Sequence, residues 1–176
     1  MLSSTEENYL KALLKLTFES ESNEAGTNEL AGLLVLKPAT VNDMIKKLKE
    51  KQLVEYEKYG KITLSPKGKK NALDIIRKHR LWETFLYEKF KFTWDEVHEV
   101  AEQLEHIQSV KLIDKLDEFL GYPEFDPHGE PIPDSEGEIK QSFTNNLAEV
   151  SIGDSCIMVS VKDITSSFLQ SVDKVG

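Results

Sequence analysis

Apolar residues recur three and four positions apart along much of the chain, and polar turns interrupt them. This pattern predicts a first helix over residues 7–16 and a short second helix over residues 28–34, with Thr27 as its N-cap. A third helix opens at Pro38, because proline fits the first turn of a helix. Two short helices joined by about three residues, the second with a basic outer face, predict a helix-turn-helix.

Two short strands follow the third helix. Residues 53–57 and 61–64 flank a turn that contains Gly60, which predicts a β-hairpin. Pro66 then opens a long helix that ends near Phe90. A hairpin followed by a helix completes a winged helix-turn-helix, in which the hairpin is the wing.

Beyond residue 90 the pattern predicts further helices and then a change of structure. One helix is expected from Thr93, as its N-cap, to about residue 107, and another over residues 110–120. Four prolines between Gly121 and Gly137 predict a turn-rich loop, and residues 155–161 have the composition of a strand. The predicted fold class is therefore mainly α with a small β wing.

The net charge of -9 conceals a basic segment. Between Lys37 and Arg80 there are thirteen Lys and Arg residues against five Asp and Glu residues, whereas the rest of the chain is acidic. A local positive field is what contacts with DNA phosphates require. The alternative interpretation is a solvated, lysine-rich face.

The third helix and the wing carry the expected DNA contacts. Side chains at the start of the helix would approach base edges, and lysines farther along would contact phosphates. Asp43 is unusual on such a face: it could accept from cytosine, cap the helix or remain solvated. The expected set is Lys37, Thr40, Asn42 and Asp43 at the bases, Lys46, Lys47, Lys58 and Lys61 at the phosphates, and Ala39 as a further contact.

All four histidines fall between residues 79 and 128, and three lie on the two helices after the wing. On the first helix a histidine and a carboxylate stand four positions apart, and on the second two histidines and two carboxylates stand at i, i+4, i+7 and i+8, so each set shares a face. Imidazole and carboxylate ligands without a thiolate suit Mn²⁺, Fe²⁺ or Zn²⁺. The alternative is a solvated acidic face with incidental histidines. The residues concerned are His79 and Glu83 on the first helix and His98, Glu102, Glu105 and His106 on the second.

Enzymatic chemistry is not indicated. Residues 98–102 lack the second histidine of the zinc-protease motif His-Glu-x-x-His, and no phosphate-cradling glycine loop occurs. The expectation is a regulator that is not an enzyme. Two alternatives stay open: a winged-helix regulator that senses a small organic ligand, with structural histidines, and a metal-dependent enzyme or metal buffer.

The composition bears on the compartment. No apolar run approaches the ~20 residues that span a bilayer, and the N-terminus lacks the features of a signal peptide. The single cysteine, Cys156, cannot form an internal disulfide. A cytoplasmic protein that does not interact with membranes is expected.

Five runs of residues stand out from the rest of the chain, and together they form a specific pattern. They are Thr5-Glu6-Glu7-Asn8-Tyr9-Leu10, Arg77-Lys78-His79-Arg80-Leu81, Glu96-Val97-His98, Ala101-Glu102-Gln103-Leu104-Glu105-His106 and Asp126-Pro127-His128-Gly129-Glu130-Pro131-Ile132-Pro133.

The order of these runs resembles the diphtheria toxin repressor family of iron- and manganese-dependent transcriptional regulators from bacteria and archaea. The resemblance implies a metal-activated repressor that binds a palindromic operator as a homodimer and controls genes of metal homeostasis. It also implies three segments: a winged helix-turn-helix over residues 1–65, a helical metal-binding and dimerisation domain over residues 66–140, and a linker with part of an SH3-like domain over residues 141–176.

The resemblance further implies two metal sites in each subunit. Asn8 would complete the primary site at a position where relatives tend to have aspartate or methionine, with Glu7 as the alternative. Glu102 favours Mn²⁺ over Fe²⁺, because iron-sensing relatives tend to have cysteine there; Zn²⁺, Co²⁺ or Ni²⁺ would also bind in vitro. The implied primary site is His79, Glu102, Glu105, His106 and Asn8, and the second is Glu83, His98, Asp126 and His128, with Asp163 as a further ligand.

Overall fold

The computed structural model describes residues 2–19, 24–56, 61–139, 149–151, 153–154 and 168. They belong to two compact units, Met1–Ile76 and Arg77–Gly176. The elements are α1 (Ser4–Glu19), α2 (Thr27–Leu33), α3 (Pro38–Glu50), β1 (Val54–Tyr56), β2 (Ile62–Leu64), α4 (Pro66–Phe90), α5 (Val97–Leu104) and α6 (Val110–Leu120).

The described elements confirm the predicted fold class, a mainly helical chain with a two-stranded sheet. The predicted domain limits stay predictions. The boundary between the two compact units falls inside α4, after Ile76. The tip of the wing and the strand predicted at residues 155–161 lie outside the described residues. No helix in the described part of the chain is long and apolar enough to cross a membrane.

The first unit is a three-helix core with an antiparallel hairpin. Apolar side chains of α1, α2 and α3 are fully buried, among them Leu13, Leu30 and Ile45. In the hairpin, Val54 pairs with Leu64 and Tyr56 with Ile62. Helix packing and hairpin pairing thus produce the predicted winged helix-turn-helix.

The start of α2 differs from the prediction. Thr27 was expected as the N-cap, but it is the first helical residue and Gly26 occupies the cap position. The Gly26 amide donates a hydrogen bond to Glu29 Oε2 at 2.5 Å. The carboxylate of Glu29 therefore satisfies an amide at the helix start in place of a capping hydroxyl.

The turn between α2 and α3 contains a strained residue. Val35 has φ 54°, a left-handed conformation that is unfavourable for a β-branched side chain. The turn is closed by two amides, Leu36 N donating to Ala31 O at 2.9 Å and Val35 N to Gly32 O at 3.2 Å. This is the C-terminal capping pattern in which glycine is normally found.

The first turn of α4 approaches the wing closely. A Cβ atom on Gly68 would lie 1.9 Å from the carbonyl oxygen of Leu53, which is backbone and cannot move aside easily. The amide of Ser65 donates to the same carbonyl at 3.0 Å. Only glycine lets the helix start at this distance from β1.

Helix α5 is shorter than the predicted helix over residues 93–107 at both ends. The hydroxyl of Thr93 donates to Asp95 Oδ1 at 2.7 Å, so it does not cap the helix, and residues 94–96 form a turn. At the other end Glu105 is the C-cap and His106 follows it. The last two predicted ligands therefore leave the regular helix.

The second unit has two small apolar clusters along α4. Leu81 packs with Ile113 and Leu116 of α6, and Leu86 packs with Val97 and Ala101 of α5. These contacts place α5 and α6 against α4. The polar face of α5 and the loop after α6 are thereby brought to the histidine on α4.

Candidate metal centre

The first candidate cluster joins α4 and α5. His79 Nε2 lies 3.0 Å from Glu83 Oε1 and 3.1 Å from His98 Nδ1, and His98 Nδ1 lies 3.1 Å from Glu83 Oε1. His79 and Glu83 are one helical turn apart on α4, so their side chains share a face. The three donor atoms form a nearly equilateral triangle.

The size of this triangle fits a metal ion. Three adjacent ligands of an octahedral ion with bonds of about 2.1 Å are separated by about 3.0 Å, whereas tetrahedral ligands are separated by about 3.4 Å. The observed distances of 3.0, 3.1 and 3.1 Å match the octahedral value. Two imidazole nitrogens and one carboxylate oxygen are ligands that Mn²⁺ and Fe²⁺ accept.

The outer nitrogens of both imidazoles face carboxylates. His79 Nδ1 lies 2.6 Å from Glu105 Oε2, and His98 Nε2 lies 3.6 Å from Glu102 Oε1. A proton on the outer nitrogen of each ring, facing these carboxylates, would leave the inner nitrogen with a lone pair for a cation in the cluster. Metal-binding histidines in proteins are oriented in the same way.

A second candidate cluster is formed by Glu83, Asp126 and His128, whose ligand atoms lie within 4.8 Å of one another and which are all buried. His128 Nε2 donates to the carbonyl of Trp94 at 3.1 Å, which leaves Nδ1 facing Glu83 Oε2 at 3.6 Å. Asp126 Oδ1 accepts from the amides of His128 and Glu130. Asp126 Oδ2 accepts no hydrogen bond from the described residues, so this buried oxygen fits a cation.

Glu83 belongs to both clusters. Its Oε1 faces His79 and His98, and its Oε2 faces His128. Burial alone would raise the pKa of Glu83, but the three histidines outweigh burial and hold it well below the usual range. Glu83 is therefore a carboxylate that can bridge two cations.

The pKa of Asp126, the other carboxylate of the second cluster, is shifted in the opposite direction from that of Glu83. Burial and the charge of Glu83 raise the pKa of Asp126 to about 7. Burial alone would lower the pKa of His128, but Glu83 outweighs burial and raises it. Two buried carboxylates that repel each other are stabilised by a proton or by a cation between them.

Arg80 anchors the loop that carries Asp126 and His128. Its guanidinium donates to Pro131 O and to Glu130 Oε2, each at 2.5 Å, and Nε lies 3.7 Å from Asp126 Oδ2. Sequence reasoning did not single out Arg80 as an anchor, although it lies within one of the five distinctive runs. Its position on α4 next to His79 was the available signal.

The described residues of the implied primary site make the following contacts. Glu105 contacts His79 and lies 3.9 Å from His106 Nε2, whereas exposed Glu102 lies beside His98. His79 is also a member of the first cluster. The described contacts place His79 with Glu83 and His98, and the two ligand sets implied by the resemblance stay predictions.

The two remaining ligands of the implied sites are placed as follows. Asn8 is an exposed residue of α1, in the first compact unit, and its part in a metal site stays a prediction. Asp163 lies outside the described residues.

The expected DNA-binding residues lie on the surface of the first unit. Most are exposed. Asn42 is half-buried, and the hydroxyl of Tyr56 donates a hydrogen bond to Asn42 Oδ1 at 3.2 Å. Asp43 is neither N-cap nor isolated, since it accepts from Lys46 Nζ at 3.0 Å. Lys58 lies outside the described residues. The exposed members are Lys37, Ala39, Thr40, Asp43, Lys46, Lys47 and Lys61.

Comparisons with known proteins match this organisation. Residues 1–62 match the family model described as the N-terminal DNA binding domain of the iron dependent repressors. Residues 65–134 match the model described as their metal binding and dimerisation domain. The two models together cover both the winged helix and the candidate metal clusters.

Individual proteins also match parts of the chain. A helix-turn-helix transcriptional regulator of Methanocaldococcus jannaschii is 35% identical over 119 residues, which are 68% of this chain and 94% of that protein. A probable metal transport system membrane protein of Chlamydia trachomatis is 39% identical over 71 residues, which are 40% of this chain but only 16% of that protein.

Solved structures extend the likeness to three dimensions. A manganese-dependent transcriptional repressor in complex with manganese is 34% identical, with a TM-score of 0.84 over 97% of this chain and 78% of that one. The chain therefore belongs to the diphtheria toxin repressor family, whose members are transcriptional repressors and not enzymes.

Proposed function

We propose that the chain is a metal-dependent transcriptional repressor that binds a palindromic operator as a homodimer when Mn²⁺ or Fe²⁺ is bound, and so controls genes of metal homeostasis. The observation that carries the proposal is the triangle formed by His79, Glu83 and His98, whose edges of 3.0 to 3.1 Å suit an octahedral divalent ion. The DNA-binding and dimerisation models matched by the chain support the rest.

Manganese is favoured over iron by the donor atoms. Both clusters offer carboxylate oxygens and imidazole nitrogens, and neither includes a thiolate. Harder oxygen ligands bias a site toward Mn²⁺ without excluding Fe²⁺. The structural relative that is described as manganese-dependent supports the same choice.

The ligand residues come from α4, α5 and the loop after α6. A bound ion would supply the positive charge that the buried carboxylates of Glu83 and Asp126 lack. These residues would then hold three separate segments together, and DNA affinity would rise by linkage between the two binding events. The N-terminal half of α3 would contact the base edges, and the lysines farther along α3 would contact phosphates.

A DNA-binding titration tests the proposal. Full-length, metal-free protein is incubated with duplexes selected from a random library, with and without Mn²⁺ or Fe²⁺, and complexes are resolved by gel shift. We expect binding only with added metal and its loss with a chelator. Binding of equal strength without metal would refute a metal switch.

Two variants separate the ligands from the acidic background. Glu83→Gln removes the carboxylate shared by both clusters and should abolish metal-dependent binding. The exposed Glu99, in the first turn of α5, provides a control of the same chemical type, and Glu99→Gln should bind as the unmodified chain does. His106→Ala tests the implied primary site: unchanged activation would confine the ligands to the two clusters described above.

A further inference from the structure

Tyr56 is held between two side chains of α3. Its hydroxyl donates to Asn42 Oδ1 at 3.2 Å, and its carbonyl accepts from Lys49 Nζ at 2.5 Å. Asn42 and Lys49 are seven residues apart, so they lie on one face of the helix. The wing strand β1 is thereby fixed along α3 at two points.

The contact with Asn42 has a chemical consequence. A carboxamide offers an acceptor oxygen on one side and two amide hydrogens on the other, and rotation about χ2 exchanges them. The hydroxyl of Tyr56 binds the oxygen side and leaves the amide hydrogens for another partner. In the major groove, those hydrogens match acceptors such as purine N7, guanine O6 or thymine O4, and they clash with the cytosine amino group.

We propose that Tyr56 is a positioning residue that fixes the Asn42 carboxamide with its amide hydrogens toward the DNA, and so sets the base preference at one operator position. The inference rests on the proposed DNA-binding function and adds a specificity determinant to it. Asn42 touches the base, and Tyr56 acts through Asn42.

The substitution Tyr56→Phe isolates the hydroxyl. The ring remains in place, and the hydrogen bond from Lys49 goes to the backbone carbonyl, which the substitution retains. Only the bond to Asn42 is lost, so the carboxamide is free to rotate. Tyr87→Phe, at an exposed tyrosine of α4, is the matched control.

The test compares complete base-preference profiles. Mn²⁺-loaded protein selects operators from a random duplex library, and affinity is then measured for all four bases at each position. Tyr56→Phe should reduce discrimination against cytosine at a single position by about three- to tenfold, the value of one hydrogen bond. The salt dependence of binding should not change, because no phosphate contact is lost.

The double variant completes the argument. Asn42→Ala should remove the preference at the same position, and adding Tyr56→Phe to it should have no further effect there. An unchanged profile for Tyr56→Phe, or additive effects of the two substitutions, would overturn the inference while leaving the proposed function intact. If the unmodified chain shows no metal-dependent, sequence-specific binding, both are overturned. Melting temperatures of all variants report any loss of folding separately.

Discussion

Replacing Asp126 by asparagine should stabilise the metal-free protein and weaken its response to metal. Asp126 is buried and belongs to the second cluster with Glu83, and its Oδ2 accepts no hydrogen bond from the described residues. Asparagine keeps an oxygen for the amides of His128 and Glu130, which hydrogen-bond to Oδ1. It replaces the second oxygen by an amide group that can donate to Glu83.

The size of the gain follows from the shift in pKa. The pKa of Asp126 rises from 3.8 to about 7, and each unit corresponds to about 1.4 kcal/mol, so ionisation costs the folded state up to about 4 kcal/mol above pH 7. Asparagine also loses the attraction of Arg80, whose Nε lies 3.7 Å from Oδ2. We therefore expect a net gain of about 1–3 kcal/mol in the free energy of unfolding at pH 8.

The sign of the pH dependence is fixed by the same shift. A carboxyl group whose pKa is raised on folding contributes stability at low pH that is lost as pH rises from about 3.8 through 7. The unmodified protein should therefore lose stability between pH 5.5 and pH 8. The variant should lose less, and His128, whose pKa is also raised, accounts for the remainder.

Denaturation in chelator and in Mn²⁺ measures both effects. A ligand at a hundred times its dissociation constant adds about 2.7 kcal/mol to the stability of the folded state. Losing an anionic ligand should weaken metal binding about 10- to 100-fold, as loss of an outer-shell partner does, which at the same metal concentration removes about 1.3–2.3 kcal/mol of that gain. A variant that is less stable than the unmodified protein in chelator at pH 8, or that gains as much from Mn²⁺, would refute the reasoning.

Three further predictions concern stability and are measured by denaturation of the metal-free chain. Val35→Gly should raise the free energy of unfolding by about 0.5–1 kcal/mol, because glycine adopts φ 54° without strain; a loss would contradict the left-handed turn. Gly68→Ala should lower it by about 1–3 kcal/mol or more, since the new methyl would meet Leu53 O at 1.9 Å. Lys51→Met should cost about 0.5–1 kcal/mol at pH 7 by breaking the 2.6 Å pair with Glu6. The bond with Lys51 lowers the pKa of Glu6 below 4.5, so this cost should vanish as pH falls below that value, and a cost that persists in acid would exclude the ion pair as its cause.

The sequence was a good guide to elements with strong local signals. The apolar spacing and Pro38 located α3, and the first-turn proline and long periodic pattern located α4 from Pro66 to Phe90. The end of α6 coincides with Gly121, which adopts φ 78° as a C-cap. In these places the local preferences of the residues and the tertiary packing agree, so local reasoning suffices.

Local reasoning failed where hydrogen bonds from distant or neighbouring side chains decide the outcome. Thr93 is a residue type favoured at the N-cap, but its hydroxyl donates a hydrogen bond to Asp95, and α5 starts later, at Val97. The continued helical spacing through His106 also hid the end of α5 at Leu104. The spacing alone could identify the types of ligand, but it could not show which of their atoms lie within 4.8 Å of one another.

The backbone partners of the second cluster could not be predicted from the sequence. His128 is oriented by the carbonyl of Trp94, a backbone atom that any residue would supply. The loop of Asp126 is held by Arg80 through another carbonyl, that of Pro131. Backbone acceptors leave no trace in the amino-acid sequence, so their positions emerge only when the chain is folded.

The arrangement of the ligands limits how metal binding can reach the DNA. His79 and Glu83 lie on α4, whose first turns belong to the DNA-binding unit, whereas His98 and His128 come from segments of the second unit alone. Ions held in the two clusters would therefore restrain α4 against α5 and the loop after α6. α4 is the element that continues from the first unit into the second. A coupling free energy of about 1–3 kcal/mol, typical of allosteric proteins, would change DNA affinity about 5- to 150-fold, and DNA would raise metal affinity by the same factor.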